Sequence, residues 1–82
     1  MPGARGRFLV QVGAFAERGG ADRLAGRLQE KGYSVGVSAD PAGSGRWRVR
    51  VGPQATREEG ERTAGRLERE ERLPTWVLEE AS

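Results

Sequence analysis

Arginines alternate with apolar residues along Arg46-Trp47-Arg48-Val49-Arg50-Val51, and a glutamine sits between two valines at Val10-Gln11-Val12. On extended chain, successive side chains point to opposite faces. Trp47, Val49 and Val51 would therefore turn to a core, leaving Arg46, Arg48 and Arg50 on the other side, and Gln11 would likewise face away from Val10 and Val12. A guanidinium grips a carboxylate through two parallel hydrogen bonds. A glutamine amide both donates and accepts, up to four bonds in all. Such a set suits a ligand rich in hydroxyls and amides that also carries carboxylates. The plainer alternative is an antiparallel sheet with one polar face in water, its arginines only solubilising.

Covalent chemistry has little to work with. The chain has no Cys and no His, which removes thiol nucleophiles, disulfides, the usual zinc ligands and the base that would activate a serine. Without cysteine, the composition fits either a reducing or an oxidising compartment. The 12 carboxylates are interleaved with basic residues, as on solvated helix faces. The expectation is a binding module, with no catalytic residues, cofactor or metal. The 14 basic residues, 13 of them Arg, exceed the acids by only two. Between Arg57 and Arg72, five arginines mix with six glutamates, whereas Arg46 to Arg50 contains no acid. Nucleic-acid binders that use a sheet face need aromatics exposed on central strands for bases to stack on. Here Trp47 and Phe8 share faces with the valines, so no nucleic-acid partner is expected.

These side chains need strands to hold them, and the strands recur. Val10-Gln11-Val12-Gly13 is echoed 39 positions later by Val49-Arg50-Val51-Gly52, each followed by a helix-forming stretch. Strands are predicted at about 8–13, 33–38, 46–52 and 75–78. A helix is predicted from about Gly20 to Lys31, with Ala21, Leu24 and Leu28 on one stripe and Gly32 as its stop. A second follows Thr56-Arg57-Glu58-Glu59, which has a capping-box pattern, and carries Gly60, Thr63, Ala64 and Leu67 as its inner stripe. The Asp40–Gly45 turn has no helix after it and no Gly-Lys-Ser/Thr ending, so it reads as a hairpin rather than a phosphate loop.

The result is an α+β domain of β-α-β-β-α-β, ferredoxin-like topology. It has a four-stranded antiparallel sheet in the order 4-1-3-2 and two helices on one face. At 82 residues there is room for one small core. Residues 1–7 are expected as a flexible lead-in, 8–78 as the domain and 79–82 as a tail. No stretch approaches the ~20 apolar residues of a membrane helix, and no signal-peptide core is present. The open face would show Gln11, Arg48 and Arg50 centrally and Ser34 and Ser38 towards one edge. Thr75-Trp76-Val77-Leu78 lacks clear alternation, leaving the face of Trp76 open.

The run Val10-Gln11-Val12-Gly13-Ala14-Phe15, then Ala21, Leu24, Leu28 and Gly32-Tyr33, resembles the SPOR domain family, as does Arg48-Val49-Arg50-Val51-Gly52-Pro53. The resemblance covers about Phe8 to Leu78. It implies the same fold and a bacterial module that binds peptidoglycan, favouring glycan strands stripped of stem peptides. Gln11, Arg48 and Arg50 are then expected to contact the glycan. Phe15, as lid or core plug, and Ser34 are further candidates. The arginines could pair with lactyl carboxylates freed by loss of the stem peptides, and Gln11 with an acetamido group or hydroxyl. The resemblance further implies a monomeric, non-catalytic part of a larger envelope protein, directed to sites of wall remodelling or division. Its export signal or anchor would lie outside this chain. The family usually has Ser where this chain has Ala14, often Asn at Gly20, and an aromatic at Gln54. A protein-interaction module docking an acidic partner on the arginine face is the alternative, with RNA binding behind it.

Overall fold

Two helices of this size can cover one face of a four-stranded sheet, and that is the arrangement found. The computed structural model describes residues 7–80. In chain order it has β1 (Arg7–Phe15), α1 (Arg18–Glu30), β2 (Val35–Ala39), β3 (Trp47–Gln54), α2 (Arg57–Glu71) and β4 (Trp76–Glu80). The sheet is antiparallel in the order β2-β3-β1-β4, which puts the two repeated strands side by side at the centre. This is the predicted topology.

The core lies between sheet and helices. Val10, Val12, Val49 and Val51 meet Ala21, Leu24, Ala25 and Leu28 of α1 and Ala64 and Leu67 of α2. The 39-residue period runs through this core. Val10 and Val49, Val12 and Val51, Ala21 and Gly60, Ala25 and Ala64, and Leu28 and Leu67 are all buried. Each half of the sequence thus contributes an equivalent strand and helix stripe.

Local signals explain the ends of the helices. The N–H groups of Gly32 and Tyr33 bond the carbonyls of Gln29 and Leu28, and Gly32 has φ +98. That is a Schellman ending, and it needs the left-handed conformation that glycine adopts without penalty. Because Tyr33 is used in this cap, β2 begins at Val35 rather than at Tyr33. At the start of α2, the Glu59 N–H bonds Thr56 Oγ1 (3.1 Å), while the Glu59 carboxylate accepts from the Ala55 N–H (3.2 Å). The capping box is present, with its return bond one residue further out than the standard pattern.

The two central strands are longer than predicted, and their pairing holds two irregularities. Between Gln11 and Gly13 the β1–β3 register slips by one, placing an extra residue, Val12, on β1. Between Phe8 and Val10 it slips the other way, with the extra residue on β3 in the Gly52-Pro53 stretch. These are β-bulges, and each shifts the facing of the residues beyond it. Gly52 has φ +128, and a Cβ there would lie 3.0 Å from the Phe8 carbonyl oxygen, so only glycine fits. β1 therefore continues through Ala14 and Phe15, past the predicted end of the strand at Gly13. β4 reaches Glu80, so residues 79 and 80 belong to the sheet and not to a tail. The predicted lead-in lies outside the described residues except for Arg7, which is in β1.

Candidate functional site

On the face opposite the helices, the register sets out a row across all four strands. Trp76 of β4 stands opposite Gln11 of β1, Gln11 opposite Arg50 of β3, and Arg50 opposite Gly36 of β2. Directly opposed residues share a face and lie ~4.5–5.5 Å apart at their Cβ atoms. An indole, an amide, a guanidinium and a side-chain-free position thus follow one another across the sheet. Trp76 is 54% exposed and is the exposed large hydrophobic residue among those described. Its facing could not be read from the sequence. Pairing with Gln11 settles it, and Val77, facing the other way, packs against the core.

A second row lies beside the first. Arg48 stands opposite Ala14 on one side and Ser38 on the other. The Arg48 Nε is buried without a hydrogen-bond partner among the described residues. A buried donor of this kind is costly unless something bonds it.

Arg50 has an acidic neighbour on the same face. Arg50 Nη2 lies 3.6 Å from Glu80 Oε2 across β1, where Leu9 is only 8% exposed although it shares the open face. Beyond Arg48, Asp40 organises the β2–β3 hairpin. Its carboxylate accepts from the Ser44 hydroxyl (2.6 Å) and the Ala42 N–H (3.0 Å). These two bonds, together with the charge of Arg48, hold the Asp40 carboxyl below its ordinary value of 3.8. Arg50 thus has a carboxylate within ion-pair distance, whereas Arg48 acts on Asp40 only through its longer-range field.

The structure brings Gln11, Arg48 and Arg50 together, as the strand pattern implies. It separates Phe15 from them. Past the Val12 bulge, Ala14 turns to the open face and Phe15 to the helix side. There the Phe15 ring occupies space that a Cβ on Gly13 or Gly20 would approach to 3.0 and 3.1 Å. Phe15 also lines a 620 Å³ groove with Gly20, Arg23, Leu24, Arg27 and Leu73, away from the open face. Phe15 is the core plug and not a lid. Ser34 is exposed and precedes β2, its carbonyl accepting from the Gly52 N–H (2.9 Å). It lies outside both rows, and Ser38 takes the place beside Arg48. Arg46 also departs from the pattern. It belongs to the hairpin, where its carbonyl accepts from the Asp40 N–H and its guanidinium reaches the Ala14 carbonyl (3.5 Å).

The SPOR domain model matches residues 4–79, nearly the whole chain. This chain belongs to the SPOR family. Three solved structures agree in fold with this SPOR domain. The peptidoglycan binding domain of the B. subtilis cell wall lytic enzyme CwlC has a TM-score of 0.81 at 25% identity, with 99% of this chain and 98% of that one covered. The RlpA SPOR domain from Pseudomonas aeruginosa has a TM-score of 0.71 at 26% identity, covering 87% and 96%. The Spor protein DedD gives 0.67 at 26% identity, with 92% of this chain covered but only 39% of that one. Among curated proteins, none matches the chain.

Proposed function

We propose that this SPOR domain binds peptidoglycan without catalysis, through the open face of its sheet, and prefers glycan strands lacking stem peptides. The Trp76–Gln11–Arg50 row carries this reading. An indole offers a flat apolar surface to the C–H face of a sugar ring. Beside it Gln11 can bond an acetamido group, and Arg50 can pair with a lactyl carboxylate one strand further on. The similarity to CwlC, whose matching domain binds peptidoglycan, supports the same ligand here. In a larger envelope protein, such a domain would direct its carrier to sites of wall remodelling or division.

Two other partners fit the face less well. An acidic protein or an RNA strand would favour a row of cations, yet half of this row is the neutral pair Trp76 and Gln11, and the acid Glu80 stands beside Arg50. The exposed Trp76 is a single aromatic on an edge strand rather than a central stacking platform. The deciding experiment is sedimentation of the domain with purified sacculi. The Gln11→Ala, Arg50→Ala double variant should stay in the supernatant while keeping the parent's circular dichroism and melting temperature. A folded double variant that still sediments like the parent would place the site elsewhere.

A further inference from the structure

Arg50 and Glu80 are on strands separated by β1, and adjacent strands lie ~4.8 Å apart. To reach 3.6 Å from each other, both side chains must lean over the intervening strand rather than stand out into solvent. Arg50 is only 17% exposed at its side chain, against 45% for Glu80, so the cation is the more enclosed partner. The pair borders a shallow 220 Å³ cavity with Leu9, Gly36 and Ser38 in its lining. Gly36 leaves open space above its backbone beside Arg50. Arg7 stands directly opposite Glu80 on β1 and lines the same cavity.

We propose that Glu80 is an internal stand-in for a ligand carboxylate, occupying Arg50 in the free domain and yielding it when a carboxylate-bearing glycan binds. The proposal rests on the peptidoglycan reading and adds a residue that tunes affinity at that site. At 3.6 Å, with Glu80 half in solvent, the pair is longer than a charge-assisted hydrogen bond, so a better-placed carboxylate can displace Glu80. Arg7, already opposite, gives the displaced carboxylate a second cation to face. The ligand carboxylate then enters the cavity beside Gly36, over the apolar floor of Leu9. The exchange leaves one carboxylate on Arg50 before and after binding. The domain thereby avoids presenting a bare guanidinium to every passing polyanion, and its affinity for carboxylated glycan is held below what Arg50 alone would give.

The test compares the parent and Glu80→Gln on two probes. One is peptide-free glycan with free lactyl carboxylates, and the other is the same glycan after amidation of those carboxylates. Titration calorimetry should show Glu80→Gln binding the free-acid glycan about two- to fivefold tighter, the span expected for losing a weak competing pair whose acid is half in solvent. On amidated glycan the two proteins should bind alike. Equal or weaker binding of the free acid by Glu80→Gln, with the parent binding, overturns the proposal. An equal gain on both probes also overturns it, because the effect would then not pass through the ligand carboxylate. Should the parent bind neither probe, the peptidoglycan reading itself falls and takes this inference with it. Glu80 is half in solvent and outside the core, and matching melting temperatures for the two proteins confirm that the comparison is between folded domains.

Discussion

Trp76 and Phe15 show how one bulge or one pairing decides what an aromatic does. Phe15 follows Ala14 on β1, and with strict alternation from Gln11 it would face away from the helices. The extra residue at Val12 reverses that, burying the ring against α1 and bringing Ala14 opposite Arg48. Trp76 is the opposite case, an apolar residue left in solvent beside Gln11. Replacing Trp76 with Ala should weaken binding to peptide-free glycan about tenfold, equivalent to about 1.4 kcal/mol. Because the indole is half in solvent, the melting temperature should hardly move. If binding is unchanged, the row is not the contact surface. Of the three positions that differ from the usual family pattern, Ala14 is on the open face. Gly20 is beside Phe15, and Gln54 is registered with Phe8, whose ring lies under Arg57 on the helix side. Ala14→Ser would add a hydroxyl next to Arg48, on the side away from Ser38. A gain of about 0.5–1.5 kcal/mol in glycan affinity is expected, the net range of one hydrogen bond, and the same titration measures it. Gln54 offers no comparable gain, since it faces away from the row.

At the scale of elements, the alternation of the two central strands was legible because Val10, Val12, Val49 and Val51 each pack against a helix stripe. Gln11, Arg48 and Arg50 were therefore legible as a group. The bulges were not, since a register slip depends on the partner strand and leaves only a faint trace in one strand's own residues. That is why the alternation predicts an end to β1 at Gly13, short of Phe15. β4 was unreadable for a related reason. At an edge, with Glu79 and Glu80 exposed at its end, its pattern mixes core contact with solvent. Two elements invite tests of stability. Arg72 closes α2 in the left-handed region at φ 58, where a Cβ is strained. Arg72→Gly should stabilise the domain by about 0.5–1 kcal/mol, read as a higher urea midpoint with an unchanged slope. The β2–β3 hairpin should respond to acid. The Asp40 carboxyl is held below 3.8 in the fold by Ser44, Ala42 and Arg48. Its contribution is therefore present above the unfolded value and lost as pH falls through the lower folded value. Amide exchange at Ala42 and Gly43 should accelerate on acidification across that window relative to the central strands. An Asp40→Asn variant should lose this difference.

Across the whole molecule, the 39-residue period turns a short sequence into a core with two equivalent halves. Leu28 and Leu67, one period apart, are both fully buried at the centre of their helix stripes. The halves are further joined where the helices end, by Lys31 Nζ donating to both carboxylate oxygens of Glu71 at 2.9 and 2.8 Å. This arrangement makes the domain one cooperative unit, because neither strand-helix pair has a core without the other's valines. It also separates the core from the proposed ligand row, which lies on the sheet face away from the helices. Leu28→Ala and Leu67→Ala should each cost about 2–5 kcal/mol. For a chain of this length that is a large share of the roughly 4–12 kcal/mol expected in total. Urea unfolding followed by tryptophan fluorescence and by circular dichroism should give coincident transitions for both variants, with similar losses. Trp47 and Trp76 both lie in the second half of the chain, whereas circular dichroism reports on both halves, so two separate transitions would show that the halves unfold independently. Wherever such a variant remains folded at low temperature, its glycan affinity should equal the parent's, because the Trp76–Gln11–Arg50 row is held by strand pairing rather than by either leucine. A folded core variant with weakened binding would mean that helix packing reaches through the sheet to set the geometry of the row.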